Sequence, residues 1–352
     1  MPGINIGIDL GTTTVIAYQE GKGIIMSEPS VVAYRKTTGK IIAVGRKAYE
    51  MLGKESRSVI VIRPMRDGVV SNFHVTEQLL RHVIMQICGS EIFRPNIIVS
   101  MPGTVTSLER RTIMDVILAS GAGRACLMEE PLAAAIGAGV DILEPSGVMI
   151  VDLGGGTTDV AVVTMGSMAL ATSVRCAGNA INNSIYKYCK RERGIVIGEQ
   201  TAENIKIQIG GAIRREGLIA MSAKGKDYIS GMPVEFEIDS DEVYYAIRED
   251  IRTILRAIHD VLERTPPELS SDILDTGIIL TGGTAFMYGL KEAVENSTGI
   301  KTRVAEDPVN CVANGIGSVL SDMDEYESNG YLFMAHDEIN YLNEDEKEEE
   351  AQ

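Results

Sequence analysis

Apolar and polar positions alternate along the chain in blocks that change period. Residues 4–10, 14–19 and 24–34 run apolar or alternate, separated by GTTT and GKG, which predicts a β-meander. TTGK at 37–40 signals a turn into IIAVG. The spacing of Leu79, Leu80, Val83, Ile84 and Ile87 predicts a helix, with Thr76 as its cap. NIIVSMPG (96–103) predicts a short buried strand, and Ser107 opens a helix that ends near Gly121 and Gly123. RACLMEE is a strand, and PLAAAIGAGV a helix of small residues with Pro131 in its first turn.

The pattern then restarts. GVMIVDL (147–153), DVAVVTMG (159–166) and ALATSVR (169–175) predict a second meander. Helices follow at about 179–193 and 199–209. The stretch 210–240 is more irregular and holds the turn YISGMP. A long helix over about 241–264 stops at Pro266 and Pro267. GIILTGG is a strand, AFMYGLKEAVENS a helix, KTRVA a strand and VNCVANGIGSVL a last helix. Two meanders, each followed by alternating helices and strands, are the pattern of two similar α/β domains.

Composition sharpens this reading. A length of 352 residues suits about two domains. The hydrophobic fraction of 45% is enough for a core, and with 5% aromatics and no Trp that core is aliphatic. No apolar run reaches transmembrane length, and the N-terminus MPGINIGIDL is not expected to be a signal peptide. Five scattered Cys without CxxC spacing read as reduced core residues in a cytoplasmic protein, with no metal site. Net charge is −16, of which −11 falls from Asp322 onward. The tail 322–352 is therefore expected to be solvated and disordered, and nothing resembles a basic nucleic-acid surface.

The chemistry concentrates in GIDLGTTTV (7–15) and VDLGGGTTDV (151–160). A tight Gly/Thr turn presents consecutive backbone N–H groups and hydroxyl donors to an anion. The Asp before each turn, Asp9 and Asp152, suits such a site only beside a cation such as Mg2+, which keeps waters and bridges phosphates. A third turn, Thr281-Gly282-Gly283, ends a strand and is expected to open a helix whose N-terminus favours phosphate or ribose oxygens. Glu129 and Glu130 sit at a strand-to-helix junction. Either is a stabilising partner of the helix dipole or orients a water toward a γ-phosphate, and spacing alone does not choose.

GIDLGTTT, VDLGGGTTD, MEEPLAAAIGAG and LTGGTA together resemble the ATPase signature of the actin, sugar-kinase and heat-shock-chaperone superfamily. GKGIIMSEPSVVAY, IRPMRDGVV, SMPGTVTSLERR, IGEQTAENIKIQIG, LERTPPELSSDILDTGIILTGGTA and AEDPVNCVANGIG closely resemble the MreB/Mbl family of bacterial rod-shape actins, over about residues 4–321. The resemblance implies an actin-like ATPase fold: two duplicated ribonuclease-H-like domains around a cleft that binds ATP and Mg2+. Domain I would span 1–140 with a small subdomain near 33–66. Domain II would span 141–308 with one near 182–240, and a helix at 309–321 would return to domain I.

By motif matching, Asp9, Gly11, Thr12, Thr13 and Thr14 form the first phosphate loop. Asp152, Gly154, Gly155, Gly156 and Thr157 form the second. Asp9 and Asp152 hold the metal through water, and Asp152 also has a catalytic role. Glu130 matches the residue that positions the attacking water. Gly178, Glu203, Lys206, Gly282, Gly283 and Thr284 complete the nucleotide pocket. The resemblance further implies slow hydrolysis coupled to assembly into paired protofilaments on the inner face of the cytoplasmic membrane. Cell-elongation membrane proteins would be partners, and the output would be cell-wall synthesis and rod shape. Ile92-Phe93 occupies the position of the family's membrane-inserting dipeptide.

The chain departs from the family pattern in three places. Thr284 stands where a third Gly is usual and would crowd the nucleotide. Asn179 and Asn182 replace two acidic residues of the family. The acidic tail has no family counterpart. A non-polymerising chaperone-like ATPase, a plasmid-segregating actin and a metabolite kinase are the competing functions. The short C-terminal remainder excludes a full heat-shock chaperone and leaves open a chaperone-like ATPase without the substrate domain; the family-specific stretches argue against the plasmid-segregating actin, and the missing sugar-binding insertion against the kinase.

Overall fold

The computed structural model describes residues 4–89, 94–322 and 334–335. They form two compact units, 1–140 with 310–352, and 141–309. In the first, strands β1 (Asn5–Leu10), β2 (Thr14–Gln19) and β3 (Gly23–Pro29) form the expected antiparallel meander. The chain then leaves this sheet. Where the apolar pattern suggests one strand over 24–34, Pro29 ends β3 and the Ser30 N–H turns back to the Thr13 carbonyl. Strand β4 (Val32–Arg35) starts a separate sheet with β5 (Ile41–Val44) and β6 (Val59–Ile62), which helix α1 (Arg46–Tyr49) packs against. A short hairpin, β7 (Met65–Arg66) and β8 (Val69–Val70), leads to helix α2 (Phe73–Cys88).

The cap of α2 is Asn72, whose side chain accepts from the Val75 N–H. Thr76, expected as the cap, is buried inside the helix and donates to the Asn72 carbonyl. Asn is the stronger cap and the helix begins one turn earlier. Strand β9 (Asn96–Met101), helix α3 (Ser107–Ala119), strand β10 (Arg124–Glu129) and helix α4 (Glu130–Gly137) follow. Thr106 and Glu109 form a reciprocal capping box on α3. Strands β9 and β10 add to β1 in parallel. Their near-continuous apolar sequences are those of a sheet covered on both faces. Ile6, Ile8 and Leu10 face Leu79, Leu80, Ile113 and Ile117 of α2 and α3.

In the second unit β11 (Val148–Leu153), β12 (Thr158–Thr164) and β13 (Ser167–Val174) repeat the meander. Helix α5 (Gly178–Glu192), strand β14 (Ile195–Val196) and helix α6 (Glu199–Ile209) come next. The irregular stretch 210–240 contains a regular hairpin, β15 (Ala220–Asp227) and β16 (Pro233–Asp239), paired with β14. Each strand turns one face to solvent and the other to the core, where Ala223 and Ile238 are buried and Met221, Val234 and Phe236 pack beside them, so β16 carries the alternation Val-Glu-Phe-Glu-Ile of a half-buried strand. Helix α7 (Ser240–Arg264) follows, capped by Asp239. The Pro pair both ends α7 and starts helix α8 (Pro267–Thr276), where Pro267 occupies the first turn, a favourable position for it.

Strand β17 (Ile278–Thr281) lies parallel to β11, and β18 (Thr302–Val304) parallel to β17. Between them, the single helix expected over AFMYGLKEAVENS is a four-residue 3-10 turn, Gly283–Phe286, and a separate helix α9 (Leu290–Thr298). Gly289, at φ 72°, breaks the two apart.

Helix α10 (Cys311–Ser321) returns to the first unit. It crosses the face of β1 opposite α2 and α3, where a side chain at Gly7 would meet Ile316 at 2.6 Å. A last short strand, β19 (Met334–Ala335), pairs antiparallel with β10. The expectation of disorder from 322 onward therefore does not hold at these two residues. The sheet orders, β3-β2-β1-β9-β10 and β13-β12-β11-β17-β18, are the same, with β19 added at one edge.

Candidate functional site

The strand registers show how far the duplication reaches. Asp9 stands at the end of β1 opposite Ile16, and Asp152 near the end of β11 opposite Asp159. Each Asp carboxylate accepts a hydrogen bond from a hydroxyl on the neighbouring parallel strand. Ser100 of β9 donates to Asp9 Oδ1 at 2.9 Å, and Thr281 of β17 donates to Asp152 Oδ1 at 2.7 Å. Motif matching selects neither Ser100 nor Thr281, nor Asp159, which is fully buried. The available signal was one hydroxyl residue directly after each of the aliphatic runs IIV (97–99) and IIL (278–280).

The first hairpin is built tightly. A side chain at Gly11 would lie 2.7 Å from the Thr14 carbonyl oxygen, so only Gly closes this turn. Thr12 is buried and its hydroxyl accepts from the Gly68 N–H at 3.0 Å, which ties the loop to the β7–β8 turn. Thr13 Oγ1 is buried without a hydrogen-bond partner at the hairpin tip. Such an atom is costly unless a ligand takes it up, so this half-site fits a phosphate–Mg2+ group. Among the described residues no cluster of three or more His, Cys, Asp or Glu occurs. The ion that fits is one that keeps its waters and needs one or two carboxylates.

Burial pushes Asp9 from 3.8 up to about 6, against the lowering effect of the Ser100 hydrogen bond. The folded protein thus binds the proton more tightly than the unfolded chain. Stability without ligand falls as pH rises from about 4 to about 6. Asp9→Asn is therefore expected to melt higher than the parent at pH 7.5 and together with it at pH 4, measured without metal or nucleotide. Equal melting at both pH values would count against a strained Asp9 carboxylate.

In the second hairpin the Gly154 N–H donates to the Thr157 carbonyl at 3.0 Å. The Gly154 and Gly155 carbonyls accept from the Gly178 and Asn179 N–H groups at the start of α5, at 3.2 and 2.8 Å. Gly156 and Thr157 are buried. Thr284 is buried, and its hydroxyl donates to the Gly154 carbonyl at 2.9 Å, so it ties the 3-10 turn to the hairpin. Lys206 Nζ donates to the Gly178 carbonyl at 3.2 Å. Burial lowers the Lys206 pKa, and Glu203 on the same helix opposes this. A side chain at Gly178 would meet Thr284 Oγ1 and Lys206 Nζ at 3.0 and 3.2 Å, so Gly154, Gly178, Lys206 and Thr284 form one cluster.

Gly282 has φ 79°, and a side chain there would lie 2.8 Å from the Leu153 nitrogen. Only Gly serves at that crossing. Gly283 opens the 3-10 turn and has open space around it. The expected α-helix N-terminus at this turn is not present, because the helix proper begins at Leu290. Of the two departures on α5, Asn179 spends its N–H on the hairpin, and Asn182 Oδ1 is buried without a hydrogen-bond partner.

The two Glu sit in different surroundings. Arg110 Nη2 lies 3.2 Å from Glu129 Oε1, which gives Glu129 a structural partner. Glu130 is the first residue of α4 and is 8% exposed. A buried carboxylate at a helix N-terminus keeps its charge more easily than elsewhere in a core. Ile92 and Phe93, the candidate membrane contact, lie outside the described residues. Among those described, no helix is long and apolar enough to cross a membrane.

A family model described as MreB/Mbl protein matches residues 3–328. The cell shape-determining protein Mbl of Bacillus subtilis (strain 168) is 44% identical over 322 residues, which cover 91% of this chain and 97% of that protein. The cell shape-determining protein MreB of Escherichia coli (strain K12) is 41% identical over 326 residues, 91% of this chain and 94% of its own. Among solved structures, MreB 5 of Spiroplasma citri bound to AMPPNP matches with a TM-score of 0.89 at 34% identity, over 94% of this chain and 99% of that one.

Proposed function

The chain belongs to the MreB/Mbl protein family, and on that premise we propose that it is an actin-like cytoskeletal ATPase that assembles into filaments and takes part in determining cell shape. The observation that carries this reading is the twofold occurrence of one device, a strand-terminal Asp held by a neighbouring hydroxyl before a Gly/Thr turn. The solved relative's AMPPNP supports ATP as the nucleotide.

In this reading the N–H groups and hydroxyls of residues 11–14 and 154–157 hold the phosphates. Asp9 and Asp152 hold Mg2+ through its waters. The ion would neutralise charge on the phosphate oxygens. Glu130 orients the attacking water, and phosphoryl transfer depends mainly on such positioning. Lys206, Glu203, Gly178, Gly282, Gly283 and Thr284 hold the nucleoside end. The subunits join head to tail in a contact that does not close on itself, which yields an open filament.

Sedimentation and negative-stain microscopy with ATP, ADP and no nucleotide test the assembly. Filaments that pellet with ATP are expected. A species that stays monomeric in every condition while binding ATP would overturn the cytoskeletal reading and favour the chaperone-like one.

Filaments also meet the inner face of the cytoplasmic membrane through Ile92 and Phe93 in this reading. Two apolar side chains beside Arg94 insert shallowly, and many copies along a filament add avidity. Ile92→Asp/Phe93→Asp is expected to leave most filaments in the supernatant when liposomes are pelleted; undiminished pelleting would remove these residues from the proposal.

A further inference from the structure

We infer that Ser100 and Thr281 are positioning residues, twin hydroxyl donors that set the orientation of the Asp9 and Asp152 carboxylates toward Mg2+. The inference rests on the reading of those two Asp as the metal's partners.

Each hydroxyl sits on the strand that follows its Asp strand in parallel. Thr281 is directly paired with Asp152 in the β11–β17 ladder. Ser100 follows Val99, which pairs with Ile8, in the β1–β9 ladder. The same relation therefore occurs once in each unit. Both residues are buried, Ser100 at 2% and Thr281 at 0% exposure, and each follows a run of aliphatic side chains, residues 97–99 and 278–280. A hydroxyl at such a position weakens a core unless it has a partner. Ala or Val would fill either place without that requirement.

The geometry leaves each hydroxyl little choice. Ser100 Oγ accepts the Leu10 N–H at 3.1 Å, which directs its single hydrogen to Asp9 Oδ1. Leu10 is the residue immediately after Asp9, so one side chain holds both the carboxylate and the backbone beside it. Thr281 is β-branched and stiff about its first side-chain torsion. Its 2.7 Å contact is a well-made hydroxyl–carboxylate hydrogen bond. Fixing one oxygen in this way fixes the plane of each carboxylate. Groups that orient a metal's partners typically contribute tenfold or more to metal affinity.

The test uses the full chain and a fluorescent ATP analogue, titrated with Mg2+ and compared with binding in EDTA. Ser100→Ala and Thr281→Val are each expected to raise the half-saturating Mg2+ concentration by about tenfold. Binding in EDTA should stay as in the parent, and Thr281→Ser should restore the parent's Mg2+ dependence. Melting curves without ligand establish that each variant folds; Ser100→Ala carries the test where Thr281→Val does not fold. Unchanged Mg2+ dependence in the folded variants would overturn the inference. So would an equal loss of affinity in EDTA, which marks a structural defect. A parent that binds the analogue with no dependence on Mg2+ would instead overturn the metal reading of Asp9 and Asp152.

Discussion

Glu130→Ala is expected to bind ATP as the parent does and to release phosphate at least about a hundredfold more slowly, the usual contribution of a positioned base. The surroundings of the two Glu frame this expectation. Glu129 is engaged by Arg110 at 3.2 Å. Glu130 is buried at the first position of α4, where the helix dipole favours a carboxylate. Its helix is anchored by Ala133, Ala134 and Ala135, all fully buried, so the carboxylate is presented from a rigid element. Single-turnover phosphate release with nucleotide affinity measured in parallel separates the outcomes. A loss of affinity equal to the loss of rate would place Glu130 in binding. An unchanged rate would remove it from catalysis. Filaments of the variant should persist longer in ATP than those of the parent, because the triphosphate is retained.

Gly315→Ala is expected to destabilise the first unit by about 3 kcal/mol or more, the upper range for overpacking. A side chain at Gly315 would collide with the Ala133 carbonyl, and one at Gly137 with the Cys311 carbonyl. Helices α4 and α10 thus meet backbone to backbone through reciprocal glycines. A helix backbone can yield only by moving as a body, and α4 carries Glu130. The expected result is a fall in melting temperature of roughly 6–12 °C, with slower phosphate release by the surviving folded protein. A variant with the parent's melting temperature would show that the crossing can open cheaply.

Much of this was readable before any coordinates, for physical reasons. The two meanders were visible because buried strands must be apolar, and the turns because only Gly permits the closures at Gly11 and Gly282. The small-residue helix α4 was visible from Pro131 and its alanines. The misses also share causes. Thr76 lost the cap to Asn72, four residues earlier, because capping strength and not the start of the apolar stripe decides where a helix begins. The β15–β16 hairpin does carry a core-facing alternation, with Val234, Phe236 and Ile238 inward and Glu235 and Glu237 outward, but it is short and set among Gly and charged residues, so the stretch read as irregular. Ser100 and Thr281 were invisible as site residues because their role depends on register between strands distant in sequence. The bond from the Thr284 hydroxyl to the Gly154 carbonyl was hidden for the same reason, since its partner lies more than a hundred residues away.

The second unit is an insertion within the first, since α10 begins at Cys311 and its partner α4 ends at Gly137. On the ribosome this reverses the usual order of completion. Unit two has all its strands and helices in hand before α10 emerges. Unit one must wait roughly ten to thirty seconds at ordinary elongation rates with the α10-facing side of β1 and α4 uncovered. A nascent chain stalled after the second unit would therefore hold one finished half and one half with Gly7, Ala133 and Gly137 bare. Newly made chains would seat helix α4, and Glu130 with it, only when the last helix arrives.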